Sequence, residues 1–176
     1  KGSPVAQAKL TNEFQSIAKT PLLVAMDAEW GLAMRLDSVY AFPWNMTLGA
    51  LKDNALVEQT GKHIAQHCKR LGVHIDFAPD IDINTNPKNP IIGNRSFGES
   101  KFNVAQKGVA LTQGMQSVGV LACGKHFPGH GDTEKDSHKT LPTVSFSRER
   151  LESTEFYPFQ QLISAGVASL MVGHLN

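Results

Sequence analysis

Apolar and polar positions along the chain follow two periods. Four short apolar runs, residues 22–26 (LLVAM), 73–78 (VHIDFA), 118–122 (VGVLA) and 168–172 (ASLMV), have the length of buried strands. Each ends in polar or special residues: Asp27, Pro79-Asp80, Gly124-Lys125-His126 and Gly173-His174. Helical period takes over between them. Across residues 53–71 the apolar or small positions 57, 61, 64, 65, 68 and 71 fall on one face, and Gly72 supplies a stop. Across residues 100–116 positions 104, 105, 108, 111, 112 and 115 do the same, with Ser100 as N-cap. A last helical stretch begins at Ser147, carries Glu149 and Arg150 in its first turn, and is expected to break at Pro158 before resuming over residues 160–165.

Strand and helix alternating about every 45 to 50 residues predict a parallel sheet with crossover helices. Wound sheets and eight-stranded barrels both meet that description. Polar, chemically equipped residues follow the C-terminal ends of several different strands, which is the barrel habit. Four strands make half of such a barrel, whose usual length is ~250 residues. The predicted fold class is therefore α/β, a partial (β/α)8 TIM barrel of about four βα units. Residues 1–176 form a single fragment of it, truncated at both ends, and the rest of the barrel is expected from additional polypeptide. Residues 84–94 (NTNPKNPIIGN) read as a strand-to-helix loop.

Composition narrows the partners. The 176 residues are 41% hydrophobic and 19% charged, as in ordinary globular domains. Seventeen Lys and Arg against sixteen Asp and Glu leave +1, spread without a basic block, so nucleic acid is not an expected partner. The apolar runs fall far below the roughly 20 residues of a membrane helix, so no membrane span is expected. Cys68 and Cys123 lack metal-type spacing and read as two buried thiols, which leaves the compartment open, whether cytoplasm, periplasm or cell envelope. The start, KGSPVAQAKL, reads as a cut or processed end.

The densest chemistry lies in residues 124–142, GKHFPGHGDTEKDSHKTLP, which hold three of the seven histidines between a buried strand and a helix. Two readings compete. In one, Asp136 fixes the tautomer of His138, whose other nitrogen then gives or takes a proton near neutral pH. In the other, His126, His130 and His138 with Asp132 or Asp136 ligate zinc or iron. The His126 to His130 spacing crosses Pro128-Gly129, so it is not a helical ligand pair.

The segment KHFPGHGDTEKDSHKTLP closely resembles the signature of family 3 glycoside hydrolases, in their β-N-acetylhexosaminidase branch, where KHFPGHG is followed by four residues and D-S-H. The resemblance extends over nearly the whole chain, through PLLVAMDAEWGLAMRL, GVHIDFAPDIDIN, GNRSFG and LMVGH. It implies a general acid/base dyad of His138 with Asp136, and sugar contacts by Asp27, Arg35, Arg95, Lys125 and His126. It also implies a retaining exo-glycosidase that releases terminal β-linked N-acetylglucosamine from a saccharide or muropeptide of the bacterial cell wall, with no cofactor or metal. Two departures stand out. The family's D-x-E-G-G is here Asp27-Ala28-Glu29-Trp30-Gly31, placing an indole where a glycine is usual. The family's nucleophilic aspartate follows a later strand, beyond Asn176.

Other residues have blander readings. Lys125 after a buried strand needs a carboxylate partner, which Asp27 can supply. Asp76, Asp80 and Asp82 read as scaffold or loop anchors, and His174 as a strand-end histidine. Trp30, Phe97 and Phe127 are candidates for stacking on a sugar face, with core packing the default for the two phenylalanines. A non-catalytic sugar-binding module and a metal-dependent hydrolase with a His/Asp site are the alternative functions.

Overall fold

The computed structural model describes residues 2–132 and 147–173, so Asp136, His138 and His174 lie outside the described residues. Among these residues four strands, β1 (Ala25–Met26), β2 (Ile75–Asp76), β3 (Leu121–Phe127) and β4 (Ser169–Val172), form one sheet. They are all parallel and stand in chain order, β1-β2-β3-β4. Sequential order without a reversal has no switch point of the kind a doubly wound sheet requires, and it is the order of consecutive staves in a barrel. The fold is part of a parallel α/β barrel.

The crossover helices lie where the periodicity puts them. Helix α3 (Asn54–Arg70) is capped by Asp53, whose carboxylate accepts from Ala55 N, and buries Val57, Gly61, Ile64, Ala65 and Cys68. It ends at Gly72, whose φ of +72° favours glycine. Helix α4 (Lys101–Gln116) is capped by Ser100 and buries Val104, Ala105, Gly108, Leu111, Thr112 and Met115. Cys68 and Cys123 are free, buried thiols. Helix α1 (Pro4–Ile17) was not legible in the sequence. Thr11 is its one fully buried residue, so it shows almost no apolar face, although Ser3 caps it and Pro4 opens it. The short α2 (Asn45–Gly49) was also not anticipated. No helix among the described residues is long and apolar enough to cross a membrane.

Two expectations need correction. The third strand spans residues 121–127 rather than 118–122, because pairing runs on through the polar residues read as its end. Cys123 N donates to Ala78 O, Lys125 N to Pro79 O, and Ile81 N to Lys125 O, so residues 78–81 continue the ladder beyond the regular part of β2. Pro79 offers no N–H, which interrupts the regular pattern. Nor does Pro158 break the last helix. The chain passes from α5 (Arg148–Arg150) through a π-helical turn (Leu151–Glu155) directly into α6 (Phe156–Ser164). Pro158 sits in the first turn of α6, and the wider turn before it absorbs the mismatch that a proline ring creates in a regular helix.

Helices α3 and α4 meet through glycines. A Cβ on Gly61 would stand 2.4 Å from Leu111 O, and one on Gly114 would stand 1.9 Å from Glu58 O and 2.9 Å from Lys62 N. Alanine in a helix interior ordinarily gains about 1 kcal/mol over glycine. Here the added methyl meets backbone that cannot step aside. Gly114→Ala is therefore expected to lower stability by about 1–3 kcal/mol, seen as a lower thermal midpoint; a raised midpoint would show that the helices have room to separate.

Candidate active site

At the C-terminal ends of the strands lies a cleft of about 560 Å³ lined by Asp27, Glu29, Met34, Arg35, Phe77, Ile91, Arg95, Lys125, His126, His130 and residues 171–173. Each βα loop contributes. Asp27 and Glu29 follow β1, and Ala28 N, between them, donates to the Asp76 carboxylate of β2 at 2.9 Å. Arg35 follows a short 3₁₀ turn (Leu32–Met34), and Arg95 closes another (Gly93–Arg95). Lys125 and His126 belong to β3, where the pairing with β4 steps from Lys125↔Met171 to Phe127↔Val172. This bulge leaves His126 as the extra residue, so Lys125 and His126 both face the cleft.

One connected set of charges fills the floor. Lys125 Nζ lies 2.7 Å from Glu29 Oε1 and 3.1 Å from Asp27 Oδ1. Arg95 donates through Nε to Glu29 Oε2 (3.0 Å) and through Nη2 to Glu29 Oε1 (2.9 Å), the bidentate geometry that suits a guanidinium. Its Nη2 also lies 3.3 Å from Asp80 Oδ2. Arg35 pairs with the other oxygen of Asp27. His126 Nδ1 meets Asp82 Oδ2 at 2.6 Å, and Asp82 also accepts from His126 N (3.2 Å) and His130 N (2.7 Å). Asp82 thereby anchors the turn after β3. Further bonds tie the loops together: Asn89 Nδ2 to His130 O, Ser96 Oγ to Asp82 O, and Asn45 Nδ2 to Arg95 O.

Burial divides this set in two. The Glu29 and Lys125 side chains are 1% and 2% exposed, whereas Asp27 and Arg35 are 30% and 49% exposed. The inner pair holds the geometry and the outer pair faces solvent. Burial opposes ionisation of Asp27 and Glu29, yet the neighbouring Lys125, Arg35 and Arg95 outweigh it and hold both carboxyls below their ordinary values. Asp80 is different. Its burial and the adjacent Asp82 push it up to about 8, and Asp76, also fully buried, rises to about 7. Burial would lower His126, but the Asp82 carboxylate overcomes this and raises it, so the imidazolium is favoured and Nε2 is left toward the cleft beside Arg95 Nη2 (3.5 Å).

The sequence-derived sugar contacts Asp27, Arg35, Arg95, Lys125 and His126 are thus gathered in one cleft, while the dyad of Asp136 and His138 lies outside the described residues. Sequence reasoning missed Glu29 as the hub and Asp82 as the partner of His126. The D-x-E spacing at a strand end, which places positions 27 and 29 on one side of an extended segment, was the available signal for Glu29. Nothing in sequence pointed from Asp82 to His126, 44 positions away. Of the metal reading, Asp132 turns instead to Arg150 (3.1 Å). The ligand atoms of Asp80, Asp82 and His126 do lie within 4.8 Å of one another, but Arg95 and the His126 ring already balance the two carboxylates. A depression of about 440 Å³ between α3, α4 and α6 has Glu58 as its one charged lining residue.

The sequence pattern described as the glycosyl hydrolase family 3 N terminal domain matches residues 2–176. The chain belongs to glycosyl hydrolase family 3. β-Hexosaminidase A of Pseudoalteromonas piscicida is 36% identical over 95% of this chain and 30% of its own length. A family 3 β-N-acetylglucosaminidase from Paenibacillus sp. strain FPU-7 superposes with a TM-score of 0.93 at 44% identity, over 99% of this chain and 34% of that one. NagZ of Neisseria gonorrhoeae, solved in complex with N-trifluoroacetyl-D-glucosamine, superposes with a TM-score of 0.90 at 31% identity, over 99% and 54%. The chain spans about a third to a half of the length of these proteins.

Two outcomes follow from the charge geometry. His126 should titrate above the ordinary 6.5 in a proton–carbon NMR titration, and Asp82→Asn should bring it down, because the anion that favours the imidazolium is gone while burial remains. A His126 titrating at or below 6.5 would contradict the pair. Glu29→Ala should cost about 3–5 kcal/mol in urea unfolding, since it takes the nearest carboxylate from the buried Lys125 and the two-pronged partner from Arg95; a loss under 1 kcal/mol would remove Glu29 as the hub.

Proposed function

We propose that this chain is part of the catalytic domain of a retaining, exo-acting β-N-acetylhexosaminidase that removes terminal β-linked N-acetylglucosamine from cell-wall saccharides or muropeptides. The observation that carries the reading is the partly exposed Asp27, gripped by Lys125 and Arg35 at the mouth of the cleft. A carboxylate in that position accepts from adjacent sugar hydroxyls, each such bond worth about 1.5–3 kcal/mol for a charged acceptor. The Lys125 ammonium has three donors, and Asp27 and Glu29 take two of them, which leaves one for the sugar. Arg35 and His126 Nε2 supply further donors from the sides. The names and bound ligand of the relatives support N-acetylglucosamine as the sugar.

Hydrolysis then runs in two steps. An aspartate outside these 176 residues attacks the anomeric carbon while His138, oriented by Asp136, protonates the departing oxygen. His138 next takes a proton from water as it releases the sugar.

Asp27→Ala is expected to weaken N-acetylglucosamine binding by about 2–4 kcal/mol, since it removes an acceptor and leaves Lys125 with one carboxylate. Calorimetry measures this, and unchanged affinity would take Asp27 out of the site. His138→Ala should slow hydrolysis of substrates with poor leaving groups by about 10²- to 10⁴-fold and affect activated aryl glycosides less at the first chemical step. Equal losses at that step would remove the acid assignment. Sugar binding without turnover in the intact protein would leave a sugar-binding module in place of the enzyme.

A further inference from the structure

Arg95 Nη2 and His126 Nε2 stand 3.5 Å apart in the cleft, yet they come from different parts of the chain. Arg95 lies in the loop from β2 to α4, whereas His126 and His130 lie at the end of β3 and in the turn after it. Strand pairing alone does not fix their separation, because the regular part of β2 ends well before Arg95.

Two side chains tie the loop to the turn. Asp82, near the start of the loop, accepts from the N–H groups of His126 and His130. Asn89, farther along, donates through Nδ2 to the His130 carbonyl at 2.8 Å. The same amide also serves the Arg95 side: its Oδ1 accepts from Ile91 N (2.8 Å) and Ile92 N (2.9 Å). Ile92 O in turn accepts from Arg95 N at 2.8 Å, and Ile91 O from Arg95 Nη1 at 3.2 Å. Hydrogen bonds therefore run from the His130 carbonyl to the guanidinium with Asn89 in the middle. Asn89 is 7% exposed, and loop and turn meet closely beside it, since a Cβ on Gly131 would stand 1.7 Å from Ile83 O.

The place requires an amide. It must donate to one carbonyl and accept from two N–H groups, and a carboxamide carries both functions on separate atoms at the end of a short side chain. A carboxylate of the same shape keeps the accepted bonds but sets a negative oxygen against the His130 carbonyl. A methyl group serves neither side and leaves buried backbone groups without that partner.

We propose that Asn89 is a positioning residue for glycoside hydrolysis, a latch that sets Arg95 against the turn bearing His126 and His130. It does not line the cleft and acts through residues that do. The inference rests on the functional reading above and deepens it.

Two variants of the full-length protein separate the two sides of the latch. Asn89→Ala removes both, so backbone hydrogen exchange should speed up in peptides spanning residues 89–96 and residues 126–131. Asn89→Asp keeps the accepted bonds, so exchange should speed up in residues 126–131 alone. Exchange in α3 and α4 should match the unaltered protein in both. Each variant should hydrolyse an aryl N-acetylglucosaminide with kcat/KM lowered about 10- to 100-fold, the scale of loss from a small misplacement of groups. Lowering the pH should restore Asn89→Asp relative to the unaltered protein, because a protonated carboxyl again donates to the His130 carbonyl, and should not restore Asn89→Ala. Unchanged exchange over residues 126–131, activity within twofold of the unaltered protein, or the same pH response in both variants would overturn the latch. Faster exchange across α3 and α4 as well would overturn it in favour of a purely structural role. If neither variant folds, the unaltered protein decides: N-acetylglucosamine should slow exchange in both segments together, and protection of one without the other would overturn the latch. Absence of hydrolysis by the unaltered protein would overturn the functional reading instead, while exchange in the variants, which needs no substrate, still tests the tie.

Discussion

A lysine ammonium almost wholly removed from water is the constraint on which the rest of this structure depends. Left unpaired, Lys125 would cost several kcal/mol, and one carboxylate at a distance does not repay that. Glu29 and Asp27 repay it together, and Glu29 also takes the Arg95 guanidinium in a two-pronged bond. Those partners come from the loops after β1 and β2 and from β3 itself. The charges can be satisfied only if the three strands stand in register with their loops folded inward, so the cluster welds three successive βα units at the end of the sheet where chemistry takes place.

The same cluster is graded from structure to recognition. Its inner members are nearly dry and hold fixed positions, while its outer members, Asp27 and Arg35, meet solvent and are free to exchange water for ligand. Asp82 extends the principle to the third loop, where one carboxylate accepts both backbone N–H groups of the turn and the imidazole of His126. A site built this way presents preset donors and acceptors, oriented before any ligand arrives. Asp80 completes the arrangement: its burial beside Asp82 pushes its carboxyl up to about 8, and Arg95 Nη2 lies 3.3 Å from it while holding Glu29 with both prongs.

The rim around this framework is built separately. The exchange of glycine for Trp30 is absorbed outside the charge cluster, by a loop that Gly31 allows to lie close and that Trp44 completes. A barrel permits such a residue at its rim, because loops at the strand ends can differ without disturbing the ladder beneath them.

The sequence by itself determined the alternation of strands and helices, the buried faces of α3 and α4, their caps, and the class of chemistry at the strand ends. These are local properties: a period of 3.6, an oxygen at an N-cap, an apolar run ending in charge. It also supplied five residues of the cleft, through a resemblance carried by several short stretches, each local in sequence. Tertiary structure alone decided the rest. Strand β3 runs on through Lys125 and His126 because residues 78–81 pair with it, and no local pattern distinguishes a polar strand end from a loop. Pro158 continues a helix because the preceding turn widens. Glu29 became the hub through Arg95, 66 positions away, and through Lys125, farther still along the chain, and Asp82 became the partner of His126 across 44 positions. Which charges pair across such distances is set by how the sheet curves and where its loops land, and that geometry belongs to the folded chain as a whole.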